Sequence, residues 1–357
     1  MDPVLAKKRF EEGAFILCLD VPQGTEFGID CNSWEVGPRF KGVKMVPPGI
    51  HFVFYSAVNR EGNAAPRTGF FCVTKKGDIV VRKWDPAIED LVNEKTSEED
   101  LKKYRLGMKE LDTYLGPYPF ENHKKWLSLT SHISANILAR LEPDCGQISS
   151  VTQIQSEDSP DDGSSQMDID EPTLNVSLQQ NEKSRIKFTE IPRCKYPAGA
   201  CPVEVTKYSI DSSFALECML QKLKGIFREI LGELQFAFVC FLLGQVYDGF
   251  EHWKRLLNIL CTCDDALCKH PDLFTELIGI LYFQLKEAPK DFFVDIVTRN
   301  NFLTVTLQEF FSNLDSSPEA DSTLATKAKR FKQHLTKTFQ WDFDSEPDDY
   351  EPVVVDT

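Results

Sequence analysis

Leu231-Gly-Glu-Leu-Gln-Phe-Ala-Phe-Val-Cys-Phe-Leu-Leu-Gly-Gln-Val-Tyr-Asp-Gly-Phe-Glu-His-Trp-Lys-Arg-Leu-Leu-Asn-Ile-Leu260 is the stretch on which the fold turns. Its first half, Phe236 to Leu243, is apolar on every face of a helix, so protein or lipid must surround it. A bilayer span needs about 20 mostly apolar residues, and Glu233, Gln235 and Gln245 bracket a shorter run. The run is therefore expected as the central buried helix of an α-helical domain. In the second half Val246, Phe250, Trp253, Leu257 and Leu260 recur at helical spacing. Gly244 or Gly249 is expected at the turn between two antiparallel helices, with one continuous helix as the alternative.

Helical stripes continue on both sides. Leu216, Met219, Leu220 and Leu223 share one face, and Phe274, Leu277, Ile278, Leu281 and Leu285 share another just after Pro271. Phe292, Phe293 and Ile296 predict a short helix, Leu303, Leu307 and Phe310 another, and Leu324, Ala328, Phe331 and Leu335 the last. Together these predict an all-α domain over residues 185–340 with about seven helices. Its first segment, Arg185-Ile-Lys-Phe188, reads as a strand that returns to an N-terminal sheet.

Towards the N-terminus the period changes. Residues 10–84 hold six short apolar runs, beginning with Ala14–Leu19 and ending with Asp78–Trp84, separated by turn chemistry such as Pro47-Pro-Gly49 and Lys76-Gly-Asp78. Strands without intervening helices predict an antiparallel β-sandwich or barrel. Residues 97–142 switch to helix. Ser97 with Asp100 marks a start. Leu101, Tyr104, Met108, Leu111 and Leu115 stripe one helix, and Trp126, Leu129, Ile133, Ile137 and Leu141 the next. The class is thus α+β in two domains. Residues 1–144 form a β-rich domain with two helices, 145–184 an acidic linker, 185–340 the helical domain and 341–357 an acidic tail. Between Ser156 and Glu171 the linker has several acids, no Lys or Arg and no aromatic residue, a composition that cannot offset its ordering entropy.

The net charge of -15 disfavours direct, non-specific contact with nucleic-acid phosphates and favours a protein partner with a basic surface. Sequence-specific nucleic-acid binding and membrane insertion are not expected, and the chain is expected to be a monomer. The 11 cysteines are scattered, mostly among apolar neighbours, and Met1-Asp-Pro-Val-Leu-Ala-Lys-Lys8, without the apolar core of a secretory signal, is not expected to act as one. Both features point to a reducing compartment, cytoplasm or nucleus, with free thiols.

Cys261, Cys263, Cys268 and His270 are the nearest approach to a metal site. Their one-residue gap departs from usual zinc spacing, which favours plain thiols. Phosphate-loop, nucleophile-elbow and zincin motifs are missing, and none of the 6 histidines, His252 included, stands in a recognisable catalytic context. No cofactor and no catalytic residue is expected, and the chain reads as a non-enzyme. Lys327, Lys329, Arg330, Lys332 and Lys337 make the last helix basic, for RNA contact or, preferably, as a solvated face.

The tail is the better candidate. Trp341, Phe343, Tyr350, Val353, Val354 and Val355 give an acidic segment high β propensity with no local partner strand. It fits addition to the sheet edge of another protein, against a frayed terminus as the plain alternative. Ser156 and Ser159, the latter before Pro160, are candidate phosphorylation sites in the linker.

Gly24-Thr-Glu-Phe-Gly-Ile-Asp30, Asn32-Ser-Trp-Glu-Val-Gly-Pro38, Lys44-Met-Val-Pro-Pro-Gly-Ile-His-Phe52 and Leu115-Gly-Pro-Tyr-Pro119 carry a resemblance to a known family. It continues in Gly232–Gly244, Glu251-His-Trp-Lys-Arg-Leu-Leu257, Asp291–Val297 and Phe302-Leu-Thr304. The chain resembles a vertebrate member of the AAR-two family, the A-one cistron splicing factors. The resemblance implies an N-terminal β-sandwich domain and a helical domain similar to VHS domains. It implies a U5 snRNP assembly chaperone that binds the RNase H-like domain of the Prp-eight scaffold and delays binding of the Brr-two helicase. Phosphorylation of the factor favours its release in this family. In the yeast member the tail also bridges to the scaffold's Jab-one/MPN domain by strand addition. The rival readings are a VHS-type trafficking adaptor that binds peptides and, third, a cryptic enzyme.

Overall fold

The structure is a computed structural model. It describes residues 2–58, 64–93, 96–150, 183–192, 196–197, 199–288, 302–317 and 321–343. The acidic core of the linker, the expected helix at Phe292, Phe293 and Ile296, and the tail beyond Phe343 lie outside the described residues. The chain divides into two compact units, Met1–Lys187 with Val239–Asp248, and Phe188–Phe238 with Gly249–Thr357.

The first unit opens with helix α1 (Pro3–Glu12), whose N-terminus is capped by the Asp2 side chain on the Leu5 N–H. Ten strands succeed it among the described residues. They are β1 (Ala14–Leu19), β2 (Glu26–Ile29), β3 (Asn32–Glu35), β4 (Gly42–Val46), β5 (Gly49–Ser56), β6 (Thr68–Thr74), β7 (Ile79–Asp85), β8 (Asp90–Val92), β9 (Leu115–Pro117) and β10 (Ile148–Ser149). They build two five-stranded sheets, β8-β7-β1-β4-β9 and β10-β6-β5-β2-β3, around one core that includes Ile16, Cys18, Phe27, Ile29, Val53 and Phe70.

Only the second sheet is antiparallel throughout, which corrects the expectation of a fully antiparallel sandwich. In the first sheet β1 runs parallel to β7, and β4 parallel to β9. Turn residues report on consecutive strands joined by short loops, and these parallel partners are far apart in sequence. β1 explains why its run is unbrokenly apolar. Ala14, Ile16 and Cys18 face the inter-sheet core, whereas Phe15 and Leu17 pack outside it with Met108 and Leu115. A strand covered on both faces does not alternate.

Glycine is required where rings cross β2 and β6. A Cβ on Gly28 would lie 2.1 Å from the Phe54 ring, and one on Gly69 would lie 2.5 Å from Phe52. Arg67 lies over the Phe54 ring and donates to Glu26 at 3.0 Å and to the Leu243 carbonyl at 2.9 Å.

Helix α2 (Glu98–Leu111) starts as expected, with Ser97 accepting from the Asp100 N–H at 3.1 Å. Its stripe stops at Leu111, and Leu115 belongs to β9. The next stripe is two helices, α3 (His123–Thr130) and α4 (Ala135–Leu141), because the Ser134 hydroxyl caps a new start at the Ile137 N–H. Trp126 donates its indole N–H to the Ile50 carbonyl at 2.7 Å and ties α3 to β5. The strand expected at Arg185–Phe188 does not form. Ile186 is buried, and the Lys187 N–H reaches the Leu141 carbonyl at 2.9 Å, a bond to a helix end and not to a sheet.

The rest of the described chain is helical: α5 (Pro202–Ile210), α6 (Ser213–Lys222), α7 (Phe227–Leu242), α8 (Tyr247–Cys261), α9 (Asp265–Lys269), α10 (Pro271–Glu287), α11 (Phe302–Ser316) and α12 (Ser322–Phe339). Residues 230–241 of α7 are all buried, as an all-round apolar helix requires. The break between α7 and α8 spans 243–246, with Gln245 in the left-handed region at φ 57°. Gly249 lies inside α8 and buried. None of the described helices is long and apolar enough to cross a membrane.

Candidate functional site

Helix α12 is amphipathic in the way its sequence demands. Leu324, Ala328, Phe331 and Leu335 are buried, and Lys327, Lys329, Arg330 and Lys337 are exposed on the other faces. Asp321 caps the start by accepting from Thr323 and Leu324 at 2.8 and 3.0 Å. At the far end Gln340 adopts φ 59° and donates its N–H to the Thr336 carbonyl. That left-handed residue ends the helix and reverses the chain.

Beyond Gln340 the chain forms a seam of rings. Trp341 stacks on Phe339 at 4.8 Å between centroids, and Phe343 meets Phe311 edge-on at 5.1 Å. Phe343 is 5 % exposed. The structure therefore places Trp341 and Phe343 on the helical unit, where they root the tail. Tyr350, Val353, Val354 and Val355 lie outside the described residues, as do Ser156 and Ser159.

Sequence reasoning missed three buried carboxylates. Asp30, at φ 53°, accepts from His51 Nδ1 at 2.8 Å, from the Tyr118 hydroxyl at 2.5 Å and from the Phe52 N–H at 3.0 Å. Burial and then the Asp30 charge push the Tyr118 phenol up. Glu233 accepts from the Thr189 N–H at 2.7 Å, the Thr189 hydroxyl at 2.6 Å and His252 Nε2 at 2.8 Å. The His252 ring also stacks on Phe188 at 4.1 Å. Asp211 accepts from the Ser213 N–H and hydroxyl and from the Asp264 N–H. Burial alone would raise its carboxyl, and the donated hydrogen bonds override that and hold it low. Each carboxylate joins segments far apart in sequence, so no local motif announces it. Chemically they act as struts that fix loop backbones to helices or strands, since buried carboxylates are held by donors.

Cys261, Cys263, Cys268 and His270 do not gather. Cys261 and Cys263 are buried and burial pushes both thiols up, Cys268 is exposed, and His270 Nε2 pairs with Glu217 at 2.9 Å. Among the described residues no group of three or more His, Cys, Asp or Glu is arranged to hold a metal ion.

Two family models match the chain. The AAR2 N-terminal domain matches residues 12–143 and the AAR2 C-terminal repeat region matches residues 188–344. A human protein named Protein AAR2 homolog is 46% identical over 372 residues, with 100% of this chain and 97% of that protein covered. The Caenorhabditis elegans homolog of the same name is 37% identical, with 96% and 98% covered. A Saccharomyces cerevisiae protein named A1 cistron-splicing factor AAR2 is 24% identical, with 81% of each chain covered.

Proposed function

The chain belongs to the AAR2 family, and on that premise we propose that it is a pre-mRNA splicing factor that acts without catalysis, as a U5 snRNP assembly chaperone. It binds the RNase H-like domain of the Prp-eight scaffold and delays binding of the Brr-two helicase until maturation. The helical domain is VHS-like, and the factor works in the cytoplasm and nucleus. It is a phosphoprotein released from the scaffold on modification, with Ser156 and Ser159 as the candidate sites.

The observation that carries this reading is the coverage. Similarity to a named splicing factor runs through both the β-rich and the helical parts, at 81% of each chain even in yeast. The net charge of -15 supports a basic protein surface as the target. The tail from residue 344 onward adds a strand to the scaffold, its base fixed by Phe343 on Phe311, and reaches the Jab-one/MPN domain as the yeast tail does. Co-purification tests this. Tagged chain should capture the scaffold and other U5 components from nuclear extract. Recovery of endosomal sorting peptides in their place would overturn it.

A further inference from the structure

Helices α11 and α12 leave a groove of about 770 Å³ between them. Its floor is apolar, with Phe311, Leu314 and Ala328, all buried, and its rim carries Lys329, Lys332 and Lys337 from α12 against a single acid, Asp315 of α11. Lys332 Nζ lies 5.9 Å over the Phe311 ring. Helix α12 carries Lys327, Lys329, Arg330, Lys332 and Lys337 and no Asp or Glu. A cationic rim above an apolar floor is built for an acidic segment that also carries apolar groups.

We infer that the occupant is this chain's own tail, residues 344–357, which lies in the groove when no partner holds it. Three observations converge. First, the chain is delivered there: Gln340 reverses it, and Phe343 ends against Phe311, which is itself a wall of the groove. Second, the charges are complementary. The tail carries Asp344, Glu346, Asp348, Asp349, Glu351 and Asp356 and no Lys or Arg. Asp344, Glu346 and Asp348 alternate, so an extended chain presents them on one face, and Pro347 and Pro352 disfavour a helix there. Third, the lengths agree. From Ala325 to Lys337 the helix rises about 18 Å, which about six extended residues cover.

Single exposed ion pairs are weak, yet a tether of this length holds the tail at millimolar effective concentration, so modest contacts suffice. A basic partner competes for the same acids. The groove is then a holding site that keeps the valine-rich end from pairing indiscriminately before the partner arrives. Occupancy of the groove is intramolecular and does not depend on the identity of that partner.

The test is a fluorescein-labelled peptide of residues 344–357, titrated at low salt against the full chain and against a chain ending at Phe343. The truncated chain keeps the ring seam, and circular dichroism checks its fold. The peptide should bind the truncated chain at least tenfold more tightly than the full chain, whose groove is already filled. Addition of about 0.5 M NaCl should weaken binding at least tenfold. Lys329→Glu with Lys337→Glu in the truncated chain, both at exposed positions, should abolish it. Equal binding to both chains, no binding to the truncated chain, or full binding to the double variant would overturn the inference. None of these results bears on scaffold capture, because no scaffold is present.

Discussion

Replacing Glu233 by Ala should cost about 4 kcal/mol and release the segment that leads into the helical unit. The carboxylate is 1 % exposed and takes the Thr189 N–H, the Thr189 hydroxyl and His252 Nε2 within 2.8 Å. A hydrogen bond to a charged group contributes about 1.5–3 kcal/mol, and a buried donor left without a partner costs about 1–3 kcal/mol. The three bonds share one acceptor, so their losses do not simply add. The Thr189 hydroxyl can also rotate to a new partner. A net of about 4 kcal/mol is nearly a thousandfold in the unfolding equilibrium, or about 8–16 °C in Tm for a unit of this size. Thermal unfolding followed by circular dichroism reads the stability. Amide hydrogen exchange at Thr189 reads the anchor itself and should accelerate at least a hundredfold. Glu233→Gln, which keeps the volume and one acceptor oxygen, should lose about half as much. A Glu233→Ala chain that melts within about 2 °C of the wild type, with Thr189 still protected, would refute the strut.

Three further outcomes are expected. Gly28→Ala would place a methyl group 2.1 Å from the Phe54 ring. It should lower stability by about 1–3 kcal/mol in urea titration, since overpacking forces ring and strand apart; an unchanged midpoint would contradict the close approach. Burial raises Glu142 from 4.5 to about 7, with Arg82 pulling partly the other way. Between those values the folded chain keeps a proton that the unfolded chain has released. Stability from this group therefore falls as pH rises through that window and levels off above it. Glu142→Gln should remove that part of the slope, measured as the difference in urea midpoint between about pH 5 and about pH 8. Phe343→Ala should destabilise the helical unit by about 3 kcal/mol, whereas a stop codon after Phe343 should cost only about 1.4 kcal/mol, the stabilisation that tenfold occupancy of the groove by the tail supplies. A large loss from the stop codon would place structural weight beyond the ring seam.

The change from sheet to helix was legible because it is a change of period. Ser97 was legible as a cap because its partner, the Asp100 N–H, is three residues away. Other features were hidden, each for a physical reason. The stripe from Trp126 to Leu141 keeps helical spacing straight through the break that Ser134 caps. Ile186 and Phe188 alternate with polar neighbours as in a strand, yet the Lys187 N–H bonds Leu141 and the Thr189 N–H and hydroxyl both bond Glu233, with no ladder to a neighbouring strand among the described residues. Glu233 and Gln235 looked like polar ends of an apolar run and are in fact buried inside it. Their role depends on partners such as His252 that only the packing of α7 on α8 brings near. In the tail, aromatic residues and valines read as one strand-forming group. After the left-handed turn at Gln340, Trp341 and Phe343 fold back onto rings of the helical unit, contacts that depend on Phe311 and Phe339 and that no local pattern announces.

Calorimetric titration of the full chain with the purified RNase H-like domain of the spliceosomal scaffold bears most directly on the proposed role. One-to-one binding at micromolar Kd or tighter is predicted, weakened at least tenfold for a chain that ends at Phe343. A titration with no heat and no co-elution from a sizing column would contradict it.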